Sequence, residues 1–130
     1  MRIQLPESHL AALPVIAIVD DDPGVRGSLD SLLRSAGLAS LAFNSAEDLL
    51  ASNARNEIAC VVTDLHMPGM SGIDLQSEMA RRGWRQPTIV MTAYPTEASR
   101  QQALANGARA FLGKPIDPDV LLQAIASVVV

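Results

Sequence analysis

The sequence predicts an α/β fold in which helices cover both faces of a five-stranded parallel sheet, a doubly wound arrangement. Two observations carry this prediction. Five short apolar runs alternate with segments whose apolar residues have helical spacing, and Gly or Pro marks most junctions between them. The connections are short, which favours parallel neighbours joined by right-handed crossovers. A length of 130 residues fits one such domain.

The composition limits the classes of function that this chain can have. Hydrophobic residues make up 48% of the chain and aromatic residues only 3%, so the core is predicted to be aliphatic. The net charge of −4 argues against a nucleic-acid surface, which needs clustered Lys and Arg. Neither a membrane span nor a signal peptide is predicted. The single cysteine, Cys60, lies in an apolar run and is predicted to be a buried hydrophobe. Together these features predict a cytoplasmic protein.

Three strands are predicted in the first half of the chain. Residues 1–13 have no clear period, and we expect them to be a loosely ordered lead-in to a domain over 14–130. The continuous apolar run 15–19 predicts a strand that is buried on both faces. The runs 38–43 and 58–63 predict the second and third strands in the same way.

The helices between these strands begin at capping residues. Asp22 is a suitable N-cap and Pro23 a suitable first residue for a helix that Gly37 ends. Ser45 caps a second, shorter helix. The side chains expected to pack from these two helices are Val25, Leu29, Leu32, Leu33, Ala36, Ala46, Leu49 and Leu50.

The second half continues the same alternation. A helix is predicted over 72–82, a strand over 88–92 and a helix over 96–106, and each of the two helices is followed by a glycine. A fifth strand is predicted over 108–112. The last helix begins after Asp117 and is rich in Val, Leu and Ala to the end of the chain.

Polar residues follow the predicted strands at one edge of the sheet. Five βα units fit the flavodoxin-like strand order 2-1-3-4-5, which puts strands 1 and 3 side by side, although the sequence alone leaves the order open. The residues at the strand ends are Asp20 and Asp21 after strand 1, Asp64 after strand 3, Thr92 at the end of strand 4 and Lys114 after strand 5. Open α/β sheets bind their ligands at this edge.

Carboxylates that converge in this way predict a divalent cation. Like charges at close range repel, and a hard cation relieves the repulsion, so we expect Mg²⁺, with Mn²⁺ as a substitute. Asp64 beside such a cation could attack phosphorus and form an aspartyl-phosphate. Lys114, the only lysine of the chain, would then neutralise the phosphoryl group, and Thr92 could donate its hydroxyl. The alternative is that Asp64 caps its loop and that Lys114 extends into solvent.

Four separated motifs resemble those of response-regulator receiver domains of two-component signalling. They are VDDDPGVRGSL, TDLHMPGMSGIDL, MTAY and GARAFLGKPI, and they occur in this order between Val15 and Val129. The central motif is most similar to receivers of nitrogen-fixation and nitrate-type (LuxR-class) transcriptional regulators. The resemblance implies a phosphorelay domain that takes a phosphoryl group from a histidine kinase and switches conformation to control an output, such as transcription through a C-terminal domain outside this chain.

The resemblance also implies a role for each residue of the predicted site. Asp64 matches the phosphoacceptor. Asp21 and Asp64 match direct Mg²⁺ ligands, Asp20 a ligand acting through water, and the backbone carbonyl of His66 the third protein ligand. Lys114 matches the phosphate-binding lysine.

Two further matches concern the conformational switch. Thr92 matches the switch hydroxyl, and Phe111 matches the aromatic side chain that follows it inward after phosphorylation. The alternative for Phe111 is ordinary core packing. The Lys114–Pro115 bond matches one that is typically cis in the family.

Tyr94, in a variable position, could tune the access of water to the phosphoryl group.

Partners are implied in the same way. Receivers dock or form homodimers through the face of the fourth helix, fifth strand and fifth helix. Here Leu122, Ala126 and Val129 are candidates for an exposed contact stripe. The other interpretation is a helix whose apolar end leads into a further domain.

The function predicted from the sequence is therefore regulatory rather than enzymatic, with only self-phosphorylation and self-dephosphorylation. One alternative is a stand-alone receiver that acts by protein–protein interaction. The other is a haloacid-dehalogenase-type phosphatase, which needs a second Asp two residues after the nucleophile. This chain has His66 there, which argues against that class.

Overall fold

The computed structural model describes residues 13–129, and within them five parallel strands form one sheet in the order β2-β1-β3-β4-β5. The strands are β1 (Val15–Val19), β2 (Ala39–Phe43), β3 (Ile58–Asp64), β4 (Thr88–Thr92) and β5 (Ala110–Gly113). The predicted fold class and strand order are confirmed. The predicted lead-in, residues 1–13, lies outside the described residues except for Leu13.

Five α-helices connect or follow the strands. They are α1 (Pro23–Ser35), α2 (Ala46–Ala51), α3 (Gly72–Arg81), α4 (Glu97–Ala105) and α5 (Pro118–Val128), and a 3-10 turn at Arg55–Glu57 precedes β3. Asp22, Ser45 and Asp117 accept hydrogen bonds from the first turns of α1, α2 and α5, as their positions before those helices predict. In the described part of the chain, each helix is too short or too polar to cross a lipid bilayer.

The core lies on both faces of the sheet because alternate residues of each strand point to opposite faces. On one face Ile16 and Ile18 pack with α1 and α5 through Leu33 and Ile125. On the other, Val19 and its neighbours pack with α2 and α3. A third, smaller cluster joins β4 to α3 and α4 through Val90, Ile73 and Ala103. The central strands β1, β3 and β4 are almost entirely buried, as their continuous apolar runs predict.

Two details differ from the sequence-based expectations. Strand β5 begins at Ala110 rather than at Ala108, because the Ala108 N–H donates to Ala103 O and closes the end of α4 instead. Ala36 was expected on the packed face of α1 but is exposed at its C-cap, where the chain turns into Gly37 with a φ of 79°.

The register of the sheet brings the strand ends together. Val19 of β1 lies opposite Thr63 of β3, so that the residues that follow them, Asp20 and Asp64, leave the sheet side by side. On the other side of β3, Thr92 of β4 lies opposite Gly113 of β5. Polar groups from four strand ends therefore meet at one edge.

Candidate functional site

Three carboxylates converge at the carboxyl edge of β1 and β3. One oxygen from each of Asp20, Asp21 and Asp64 lies within 4.8 Å of the other two. Asp20 is fully buried, Asp64 is 6% exposed and Asp21 is exposed. Two buried acids and one open to solvent give a hard oxygen donor set with room for water, which fits Mg²⁺. The residues present therefore fit the predicted cation.

Lys114 completes this cluster from the end of β5. Its Nζ lies 2.7 Å from Asp20 Oδ2 and 3.4 Å from Asp64 Oδ1. Burial by itself lowers the pKa of Lys114, but the hydrogen bond and charge of Asp20, followed by those of Asp64, outweigh it and raise the pKa. The ammonium is therefore charged at neutral pH and neutralises part of the acidic cluster.

The negative charge of Asp64 is only partly compensated by its neighbours. Burial raises its pKa, the negative charge of Asp20 raises it further, and Lys114 and the Leu65 N–H oppose the shift without cancelling it. The Leu65 N–H donates to Asp64 Oδ1 at 3.0 Å, which fixes the orientation of the carboxylate. Such an oxygen is oriented and more basic than an ordinary Asp, as a nucleophile requires.

The backbone at Asp20 and Asp64 is held by two side chains that no sequence motif predicts. Arg26 of α1 donates from Nη1 to the carbonyl of Asp20 at 2.7 Å. The hydroxyl of Thr63 donates to the carbonyl of Asp64 at 2.9 Å. No short-range pattern marks these contacts. The only available signal was their proximity in sequence to the acidic residues, since both lie within six positions of them.

Gly72 lets α3 approach the acidic residue directly. A Cβ on this residue would lie 2.4 Å from the carbonyl oxygen of Asp64 and 3.1 Å from Leu65 Cα. The Gly72 N–H donates to Leu65 O at 2.9 Å, so the start of α3 rests against the end of β3. In the sequence Gly72 marks the start of a helix, and a glycine at that position also signals close backbone approach.

Thr92 lies at the end of β4 and is fully buried. Its hydroxyl accepts from the Tyr94 N–H at 3.1 Å, and its carbonyl accepts from the Lys114 N–H at 2.8 Å. Among the described residues, its side chain makes no hydrogen bond to the acidic cluster. Thr92 is thus joined to the loop that precedes α4 and, through its backbone, to the loop that carries the lysine.

The remaining predicted residues lie around this centre. Phe111 is half-buried and packs against the cluster of Leu65, Ile73, Val90, Ala103 and Ala108. His66 is exposed, and its ring meets that of Tyr94 edge to face with 6.4 Å between the centroids. The Lys114–Pro115 peptide bond is cis. The structure therefore brings Asp20, Asp21, Asp64 and Lys114 together and leaves Thr92 and Phe111 to one side.

The predicted contact stripe on α5 is largely wrong. Leu122 and Val129 are half-buried and pack against the core, so only Ala126 of the three is exposed. The large exposed hydrophobic side chain of α5 is Val120, at 46%.

Comparison with known proteins gives a consistent result. The profile of the response regulator receiver domain matches residues 16–126. The transcriptional regulatory protein FixJ of Azorhizobium caulinodans is 40% identical over 121 residues, which are 93% of this chain and 55% of that protein. Nodulation protein W of Bradyrhizobium diazoefficiens is 37% identical over 113 residues, 87% of this chain and 50% of that protein.

Solved structures agree with these relatives. The response regulator StyR has a TM-score of 0.84 and 37% identity, over 91% of this chain and 60% of that chain. The present chain spans about half the length of the curated relatives that it matches. The match to receiver domains does not favour the phosphatase or the stand-alone alternative.

Proposed function

This chain belongs to the response regulator receiver domain family, and on that premise we propose that Asp64 accepts a phosphoryl group from a sensor histidine kinase in a Mg²⁺-dependent reaction. Receiver domains are regulatory phosphoacceptors, and those of two-component regulators interact with sensor histidine kinases. The observation that carries the assignment to Asp64 is its position. It is the oriented acid that lies close both to the Asp20–Asp21 pair and to the ammonium of Lys114.

The chemistry needs little beyond positioning and charge neutralisation. An oxygen of Asp64 forms a bond to phosphorus while the bond from phosphorus to the donor nitrogen breaks, and the departing imidazole keeps that electron pair. The Lys114 ammonium has three N–H donors, so it can keep its hydrogen bond to Asp20 and also donate to a phosphoryl oxygen. Its raised pKa keeps it charged during the transfer.

The metal ligands that we propose are Asp20, Asp21, Asp64 and the backbone carbonyl of His66, with Mn²⁺ able to replace Mg²⁺. The convergence of the three carboxylates supports the first three. The bound cation would neutralise phosphoryl oxygens opposite Lys114. Asp21, the exposed acid, leaves that side of the cluster open to solvent and to the incoming group.

Thr92 and Phe111 are the switch residues in this proposal. The Thr92 hydroxyl turns to a phosphoryl oxygen, and the Tyr94 N–H loses its present acceptor. Phe111 packs beside Val90 and Ala103 and follows into the space that the threonine leaves. The segment that adopts two alternative conformations in this proposal is the loop between β4 and α4.

The output and setting are proposed by analogy with the relatives. FixJ is named as a transcriptional regulatory protein, and we propose that this receiver likewise controls transcription through a DNA-binding domain rather than binding nucleic acid itself. Its place would be the cytoplasm, away from the membrane. A homodimer would form through α4, β5 and α5, whose exposed apolar side chains include Leu104 and Val120. No catalysis beyond self-phosphorylation and self-dephosphorylation is part of the proposal.

The test is intact mass after incubation with acetyl phosphate and Mg²⁺. We expect the native chain to gain the mass of one phosphoryl group, and Asp64→Asn to gain none. Lys114→Ala should accept the group much more slowly, because one side of the phosphoryl charge is left unneutralised.

The matched control is Asp48→Asn, which removes an exposed carboxylate of α2 that is not one of the three converging acids. It should gain mass like the native chain. A gain in Asp64→Asn equal to that of the native chain, or a gain that persists after the divalent cation has been removed, would contradict the proposal.

A further inference from the structure

Gln76 is a buried polar side chain that the proposed chemistry does not use. It lies in α3 and is 4% exposed. Its Nε2 donates to the carbonyl of Ala103 at 3.0 Å, with longer contacts to the carbonyl of Asn106 at 3.5 Å and to the hydroxyl of Thr88 at 3.4 Å. One amide group therefore joins α3 to the C-terminal end of α4 and to the start of β4.

That end of α4 carries the one buried residue of the helix. Of the residues of α4, all of which the structure describes, Ala103 alone is buried. Its carbonyl also accepts from the Ala108 N–H at 3.0 Å, so two donors converge on it, one local and one from Gln76. The carbonyls at the end of a helix need such donors.

The N-terminal end of α4 is held differently. Residues 93–98 are all exposed, and the hydrogen bond from the Tyr94 N–H to the Thr92 hydroxyl ties this loop to β4. Thr96 caps the helix locally through the Ser99 N–H. The two ends of one helix thus have separate attachments, one through Gln76 and the other through Thr92.

We propose that Gln76 is the pivot of α4, a positioning residue that holds the C-terminal end of the helix while the N-terminal end moves with Thr92. The inference rests on the proposed function, because the motion begins when the Thr92 hydroxyl turns to the phosphoryl group. Gln76 Oε1 is buried and has no partner among the described residues. The hydrogen bonds of the Gln76 side chain are therefore made by its nitrogen alone. They connect α3 to the C-terminal end of α4 and to β4, which is where a pivot of α4 must be fixed.

The test is amide hydrogen exchange, read residue by residue by NMR, with Mg²⁺ and with or without beryllofluoride as the phosphoryl probe. Gln76→Met keeps an unbranched side chain of similar length and removes its donor. Gln123→Met makes the same change at an exposed glutamine of α5 and is the control. Gln76→Leu is a second variant in case Gln76→Met does not give a native spectrum.

Without the probe, we expect exchange at residues 106–108 to rise about fivefold to tenfold in Gln76→Met, as the loss of one buried hydrogen bond implies. Exchange in α1 should not change, and Gln123→Met should behave like the native chain. With the probe, changes within α4 and the two loops that flank it should be confined to residues 92–99 in the native chain. In Gln76→Met they should extend through residue 108.

Two results would overturn the pivot while leaving the proposed function intact. One is unchanged exchange at residues 106–108 in both Gln76 variants. The other is a native chain that takes up the phosphoryl group yet responds equally at both ends of α4. A native chain that takes up no phosphoryl group overturns the proposed function, and the pivot with it.

Discussion

Helices α3 and α4 are neighbours of similar length, yet they are fixed to the domain in very different ways. Helix α3 begins with a reciprocal capping box between Ser71 and Asp74 and is packed along its length. Its buried residues are Gly72, Ile73, Leu75, Gln76 and Met79. Helix α4 has a single buried residue, Ala103. Packing is therefore dense beside the end of β3, which carries the proposed acceptor acid, and sparse beside the end of β4, which carries the proposed switch residue.

The comparison is tested most strongly by truncating one leucine in each helix. Leu75 of α3 is fully buried, and Leu75→Ala should lower the free energy of unfolding by about 2–5 kcal/mol. Leu104 of α4 is 37% exposed, and Leu104→Ala should lower it by no more than about 1 kcal/mol. Urea unfolding followed by circular dichroism measures both. Equal losses in the two variants would show that α4 is packed as firmly as α3.

A glycine substitution tests the close approach of α3 to the acceptor strand. Gly72→Ala places a methyl group against the carbonyl of Asp64, and we expect a loss of about 1–3 kcal/mol despite the better helix propensity of alanine. Gly27 of α1 has no atom within 4 Å of its Cβ position, and Gly27→Ala should stabilise the domain by about 0.5–1 kcal/mol. The urea midpoint of unfolding should therefore fall in Gly72→Ala and rise in Gly27→Ala. A gain in both variants would mean that the backbone at Gly72 moves aside freely.

The smallest expected effect on stability is that of neutralising the Glu78 carboxylate near the C-terminal end of α3. Hydrogen bonds from Arg81 and Arg82 lower the pKa of Glu78 from 4.5 to about 2. Because the pKa is lowered on folding, the stabilisation is fully present above pH 4.5 and is lost as the pH falls through about 2. Glu78→Gln should therefore lower the melting temperature slightly at neutral pH and not at all below pH 2.

The matched control for this pair is Glu97→Gln in α4, where the carboxylate meets Arg100 at 2.9 Å on an exposed surface. It should change the melting temperature less than Glu78→Gln at pH 7, since Glu78 has two arginine partners. If the difference in melting temperature between Glu78→Gln and the native chain grew as the pH fell, ionised Glu78 would not be stabilising the fold.

The fold could be predicted almost completely because its signals are local. Continuous apolar runs identified the buried strands, and Asp22, Ser45 and Asp117 identified helix starts. The strand order follows from the general rule for open α/β sheets rather than from any one residue. Boundaries were less certain where a turn competes with a strand, as at Ala108, whose N–H closes α4.

The site could be predicted only in part. Acids, threonine and lysine at strand ends have a short-range signal, since strand ends can be located in the sequence. Arg26 and Thr63 lie near the acids in sequence, but no motif marks their contacts. The contact of Gln76 with Ala103, 27 residues away, has no such signal, because it depends on the distance between two helices after packing. The exposure of α5 was mispredicted for the same reason. Its sequence is apolar on several sides, and only the packed structure shows that Leu122 faces the core and Val120 does not.

The ion pair between Asp20 and Lys114 joins groups 94 residues apart in the sequence. On a ribosome that adds about 5–20 residues per second, Lys114 is made roughly 3–10 s after Asp64. During that interval a nascent chain carries the acceptor acid but has no ammonium to neutralise a phosphoryl group. On the proposed function, a kinase that meets a half-made chain therefore finds an acceptor that reacts much more slowly than the one in the finished domain.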